Sequence, residues 1–382
     1  MMREVVMRRW IAGGMVARWW VALCVLACAP LVSADPAGKF EVVRVKTELE
    51  PRAEIDLWYL PAGRPKGTLF VLHGYNNSKG WSQNLQWVRD REDWNVVMPD
   101  FRNHGASSRM LGPSTLGYYE IDDVQAVVDW AERRNLQRPF VIYGRSMGGS
   151  TGIRFAARDK RIEGVLAVSP FKNAELATRQ MAEYAVRLAA ADRPGQSRIT
   201  AGLKSLVGKV ATGALESYLD GKNPLPEKQR EMLRSVDVPT AVAARDDLRI
   251  WIMSGEQDSF PPADQRAILD ASKSPAELKR LVVTPGTNHR NTWAYTGEDG
   301  KGVLGHDAFV KEFLKASLAA PPGKPAYAAA SRRDVSARAA AVAIGATLLL
   351  AIIAVALFAQ RVRVRGRRVA AARLPAPSGA AE

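Results

Sequence analysis

Short apolar runs alternate along the chain with longer segments of helical period, and that rhythm predicts most of its architecture. Residues 40–50 and 54–60 interleave apolar and polar positions around Pro51-Arg52, as two antiparallel strands at a sheet edge do. Residues 67–75 form an unbroken apolar run, the pattern of a strand buried on both faces. A helix is expected at about 82–91, then a strand over 94–101. A second helix is expected over 122–133, where Val124, Val127, Val128, Trp130 and Ala131 recur at helical spacing. The run 140–143 predicts another buried strand, followed by a helix at 150–158 and a strand at 162–169. Between 171 and 247 the rhythm breaks: residues 174–190 and 203–219 have helical spacing, and no strand pattern stands out. Alternation then resumes, with strands at 248–253 and 278–283 and helices at 263–272 and 308–318. Such alternation indicates an α/β fold, a mostly parallel sheet flanked by helices on both faces. Here a helical insertion of residues 172–247 interrupts a core of 40–171 and 248–320.

Composition changes the picture only at the ends. The 382 residues carry a net charge of +15, but residues 1–34 hold +3 of it and residues 331–382 hold +7. The remaining +5 is ordinary for a globular core, so the basicity does not point to nucleic acid. Residues 1–34 combine Arg3, Arg8, Arg9 and Arg18 with an apolar stretch and Val32-Ser33-Ala34, the layout of a signal peptide or an uncleaved signal anchor. The lipobox reading of Val25-Leu26-Ala27-Cys28 is weaker. Both cysteines, Cys24 and Cys28, lie in this segment, so a chain without it has no thiol. Residues 321–338 are a linker rich in Ala, Pro and Arg. Residues 339–360 are predicted as a transmembrane helix, 339–359 alone being 21 consecutive positions without a charge. The tail 361–382 is Arg-rich, which predicts a cytoplasmic C-terminus and a globular part on the outer, extracytoplasmic side.

The candidate chemistry centres on Gly144-Arg145-Ser146-Met147-Gly148, a G-x-S-x-G pentapeptide set between a predicted strand and a predicted helix. A serine at such an elbow projects its hydroxyl above the sheet edge, and Gly144 and Gly148 let strand and helix approach closely. The hydroxyl needs a base, and the chain has four histidines: His73, His104, His289 and His306. His289 leaves the last predicted strand, and His306 is the next candidate. Asp258, beyond the strand before it, can orient the imidazole; Glu256 is a weaker choice because strand alternation turns it elsewhere. No His/Cys spacing suggests a metal, and no cofactor is expected.

The order Ser146, Asp258, His289, with His73-Gly74-Tyr75 and residues 100–107, resembles the α/β-hydrolase superfamily, in the group holding monoglyceride lipases and serine aminopeptidases. The resemblance implies an oxyanion hole from the backbone N–H groups of Tyr75 and Met147. It implies a structural role for His73 under that loop, and a cap formed by the insertion. Residues 100–107 are expected to brace the site, and Ser107 lacks an elbow. The reading is a membrane-anchored serine esterase acting on a small-molecule or lipid-derived ester. The alternatives are a serine peptidase or amidase of the same fold, and a non-catalytic binding protein.

Overall fold

A computed structural model describes residues 40–82, 93–109, 114–190 and 227–319. The helix expected at 82–91 lies almost wholly outside them, and the helix expected at 203–219, the linker and segments 1–34, 339–360 and 361–382 lie wholly outside. Among the described residues no helix is long and apolar enough to cross a membrane.

The eight strands are β1 Glu41–Lys46, β2 Glu54–Leu60, β3 Gly67–Leu72, β4 Trp94–Pro99, β5 Phe140–Arg145, β6 Ile162–Val168, β7 Arg249–Gly255 and β8 Lys279–Thr284. They form one sheet in the order β1-β2-β4-β3-β5-β6-β7-β8. β2 pairs antiparallel with β1 and β4, and every other pairing is parallel. β3 to β8 therefore end at the same rim.

Residues alternate between two buried layers. Phe70, Leu72, Val97 and Ile142 join the layer made with helices Glu120–Arg133, Met147–Arg158 and Pro262–Ala271. Leu69, Val71, Tyr143, Trp251 and Met253 face the other way, against Phe309, Val310 and Phe313 of helix His306–Ser317. Burying each of those two phenylalanines contributes about 2 kcal/mol, and a strand buried on both faces reads as the continuous apolar run seen in the sequence.

Two boundaries differ from the sequence expectation for identifiable reasons. β1 stops at Lys46 because Thr47 turns the chain: its N–H donates to Ala53 O at 2.9 Å, and its hydroxyl accepts from Ala53 N at 2.8 Å. The elbow helix starts at Met147 rather than near residue 150. Gly148 and Gly149 weaken helix propensity locally, but the close packing of this turn on β3 and β5 selects them. Helix Ala174–Ala190 has the expected bounds, and the short helices Glu227–Ser235 and Val238–Val242 complete the described part of the insertion.

Candidate active site

The rim where the parallel strands end gathers the candidate residues. Ser146 follows β5 directly, Asp258 lies three residues beyond β7, and His289 lies five beyond β8. His289 Nδ1 lies 2.8 Å from Asp258 Oδ1, and its Nε2 lies 3.1 Å from Ser146 Oγ. The Asp258 carboxylate accepts the Nδ1 proton, which leaves Nε2 free to accept from the serine hydroxyl. The three residues predicted from the sequence thus form one hydrogen-bonded line.

The elbow is strained as such a turn requires. Ser146 has φ 51° and ψ −119°, a conformation costing a non-glycine residue on the order of 1–3 kcal/mol. Its N–H donates to Val168 O at 2.8 Å, and its carbonyl accepts from Ser150 N at 3.0 Å, which pins the strained unit from both sides. Glycine is obligatory on either flank. A Cβ at Gly144 would sit 2.4 Å from Gly148 O, and one at Gly148 would sit 2.4 Å from Leu72 O. A Cβ at Gly74 would lie 3.4 Å from Ser146 Cβ, so the 73–75 segment runs directly against the elbow. Met147 opens the elbow helix, where the N–H groups and the helix dipole point at the rim. Tyr75 is half-buried, with its ring edge-on to His104 at 6.0 Å.

Two interlocked loops hold the acid and the imidazole. Gln257 N–H donates to Thr287 O at 2.8 Å, and Glu256 N–H donates to Thr284 O at 3.0 Å. Glu256 itself is exposed and accepts from Gly286 N at 2.8 Å, so it closes the turn and takes no part in orienting His289. The Asp258 carboxyl is fully buried, whereas 17% of the His289 side chain stays exposed. Burial by itself would raise the Asp258 pKa. The hydrogen bond and charge of His289, the Ser169 hydroxyl and the Phe260 N–H outweigh burial and hold it below the ordinary carboxylate value. The Phe260 ring meets the imidazole edge-on at 4.8 Å and fixes its plane.

His306, the alternative base, is engaged elsewhere. Its Nε2 lies 3.0 Å from the Tyr143 hydroxyl and its Nδ1 lies 2.9 Å from Asp307, in the layer on the other face of the sheet. Ser107, the rival nucleophile, donates to Asp100 O at 2.7 Å and accepts from Asp56 N at 2.9 Å, so its hydroxyl is engaged by the main chain.

His73 and His104 brace the rim as neutral rings. His73 Nδ1 donates to Gly74 O at 2.8 Å while its Nε2 accepts from Phe101 N at 3.0 Å. His104 Nδ1 donates to Arg102 O at 2.9 Å, and its Nε2 accepts from Asn76 N at 3.3 Å. Burial lowers both pKa values, and the neighbouring His104 lowers that of His73 further. The unfolded rings take up protons near pH 6.5 while the folded rings do not. Stability is therefore complete above about pH 6.5 and is lost as pH falls towards the folded values. Thermal melts should show a Tm several degrees lower at about pH 5 than at about pH 7.5; an unchanged Tm would contradict neutral, buried rings.

Sequence reasoning missed several parts. Lys79 Nζ is buried between Asp56, at 2.8 Å, and Asp100, and it anchors the segment after Tyr75. Arg145 and Ser169 also touch the site's supports, and no local pattern marks either residue. Among the described residues, no cluster of three or more His, Cys, Asp and Glu side chains is arranged to hold a metal.

An eight-stranded, mostly parallel sheet with a serine elbow and an Asp–His pair at its rim defines a serine hydrolase of the α/β-hydrolase fold. Residues 63–292 match the family described as "Serine aminopeptidase, S33", and the chain belongs to that family. Among curated proteins, a polyketide transferase of Stachybotrys chlorohalonatus is 23% identical over 284 residues, which is 68% of this chain and 93% of that one. The rat (Rattus norvegicus) monoglyceride lipase is 29% identical over 116 residues, covering 30% of this chain and 38% of the lipase. Among solved structures, the Pyrococcus furiosus esterase Pf2001 superposes with a TM-score of 0.53 at 21% identity, over 75% of this chain and 98% of the esterase. That last likeness concerns the fold alone.

Proposed function

We propose that the protein is an esterase that works through an acyl-serine intermediate, with Ser146 as nucleophile, His289 as general base and acid, and Asp258 as the orienting carboxylate. The supporting observation is the unbroken run of hydrogen-bond distances from Asp258 through His289 to Ser146. Ser146 Oγ bonds to the ester carbonyl carbon as its proton moves to His289 Nε2. The N–H groups of Tyr75 and Met147 hold the oxyanion, and each such donor is worth about 3 kcal/mol. Collapse expels the alkoxide, which leaves as the alcohol with the proton from His289. Water then attacks the acyl-serine, gives its proton to His289, and the acid departs as that proton returns to Ser146 Oγ.

The family description names an aminopeptidase, so amide cleavage is the second reading. An enzyme of that type must grip a free substrate amine. Three carboxylates on and just after the loop that carries Asp258 already have partners: Asp258 has His289, Glu256 has the Gly286 N–H, and Asp264, in the next helix, has Lys172 at 2.7 Å and Gln180 at 2.8 Å. That pairing favours the ester. The curated monoglyceride lipase relative supports a lipid-derived ester, as does the apolar segment 339–360, which would tether an outward-facing hydrolase to a membrane. Residues 172–247 would cap the site and select the acyl group.

A panel of acyl p-nitrophenyl esters, monoacylglycerols and aminoacyl amides, offered to the full chain, tests this reading. Turnover of the esters at least about a hundredfold faster in kcat/KM than of the amides is expected; at 1.4 kcal/mol per factor of ten, that is a difference of about 3 kcal/mol. Faster amide turnover would favour the peptidase.

A further inference from the structure

Arg145, the residue before Ser146, occupies a costly position. Its guanidinium carbon lies 4.7 Å from the ring centre of Trp81 and 5.9 Å from that of Trp293, and the two indoles meet edge-on at 5.4 Å. Its Nη2 donates to the main-chain carbonyl of His289 at 3.1 Å, while its buried Nε has no hydrogen-bond partner among the described residues. Burial depresses its pKa, and among the described residues no carboxylate forms an ion pair with it. A cation kept in such surroundings loses hydration that a single carbonyl only partly replaces. A methionine would fill the space between two indoles without that cost. What the guanidinium adds is a donor to the His289 carbonyl and a positive charge near the Asp258–His289 pair.

The residues it joins also matter. Trp81 lies in the helical turn Lys79–Ser82, which ends the segment carrying Tyr75. Arg145 is the last residue of β5 and abuts the nucleophile. Trp293 lies in the 3-10 turn Thr292–Ala294, just after His289. One side chain thus links the oxyanion segment, the elbow and the histidine loop.

We propose that Arg145, clamped between Trp81 and Trp293, is a positioning residue that holds the His289 main chain where its imidazole can take the Ser146 proton. This rests on reading His289 as the general base. Asp258, from the loop after β7, and Ser146, from the elbow, meet the two ring nitrogens of His289, while Arg145 meets its main-chain carbonyl.

The test compares the full chain with Arg145→Met and Arg145→Lys, using p-nitrophenyl butyrate as the probe. For Arg145→Met, kcat should fall about ten- to a hundredfold with KM within about twofold, because a small misplacement of the base slows chemistry more than binding. Its Tm should be unchanged or higher, so the lost rate does not come from a lost fold. Arg145→Lys, which keeps a donor but not the planar fork, should recover only part of kcat. Wild-type kcat in Arg145→Met would overturn the positioning role alone. So would a kcat loss that comes with an equal rise in KM or with a fall in Tm. No turnover by the wild-type chain would overturn the esterase reading, and the positioning role with it.

Discussion

Ser146→Ala is expected to lower kcat/KM for a short p-nitrophenyl ester by about five to six orders of magnitude while leaving the Tm little changed. The size follows from removing the atom that forms the acyl bond; knocking out one member of such a unit costs nearly as much as removing all of it. The neutral effect on stability follows from the backbone. Alanine keeps the Cβ and therefore the same strain at φ 51°, and the main-chain bonds to Val168 and from Ser150 do not involve the hydroxyl. The lost Oγ contact with His289 is a single, partly exposed hydrogen bond. Kinetics and a thermal melt on the same preparation check both halves, and residual turnover above about a hundredth of wild type would contradict the assignment of the nucleophile.

Asp258→Asn should cost about four orders of magnitude in kcat, with KM little changed. The buried carboxylate accepts the proton on His289 Nδ1, and that acceptance keeps Nε2 bare for Ser146. An asparagine amide can donate to Nδ1 instead, which moves the ring proton to Nε2 and leaves the serine without a base. The pH behaviour separates the two groups. Burial would raise the Asp258 carboxyl, but the His289 interaction outweighs it, so the folded pKa lies below the ordinary value. The stability this carboxylate supplies is present above its unfolded pKa, about 3.9, and is lost only as pH falls through the lower folded value. An acid limb of activity above that range therefore does not report Asp258. A variant with kcat within about tenfold of wild type would show that another group orients His289.

The strands were legible because burial on both faces writes a continuous apolar run, as in β3 and β5, and because the edge pair β1–β2 keeps a polar alternation. The elbow was legible because its constraints are local: Gly144, Ser146 and Gly148 must follow one another in the chain. His289 and Asp258 were legible from chain order and from their places after β8 and β7, although His306 could be set aside only by seeing it against Tyr143. Arg145, Trp81 and Trp293 were not legible together, because no sequence period relates residues 81, 145 and 293. Ser169 beside Asp258 and Lys79 between two aspartates share that cause. They belong to the site only once the sheet has brought separate strand ends to one rim. The start of the elbow helix was misplaced for a different reason. Gly148 and Gly149 lower helix propensity, but the contact distances to Leu72 and Gly144 leave no space for a side chain.

The most direct measurement is to treat the full chain with a fluorophosphonate and map the adduct by peptide mass spectrometry. A single adduct on Ser146 is expected, absent in Ser146→Ala and much slower to form in Asp258→Asn. An adduct on another serine such as Ser107, or ester turnover that persists with Ser146 unmodified, would contradict a hydroxyl at residue 146 made reactive by His289.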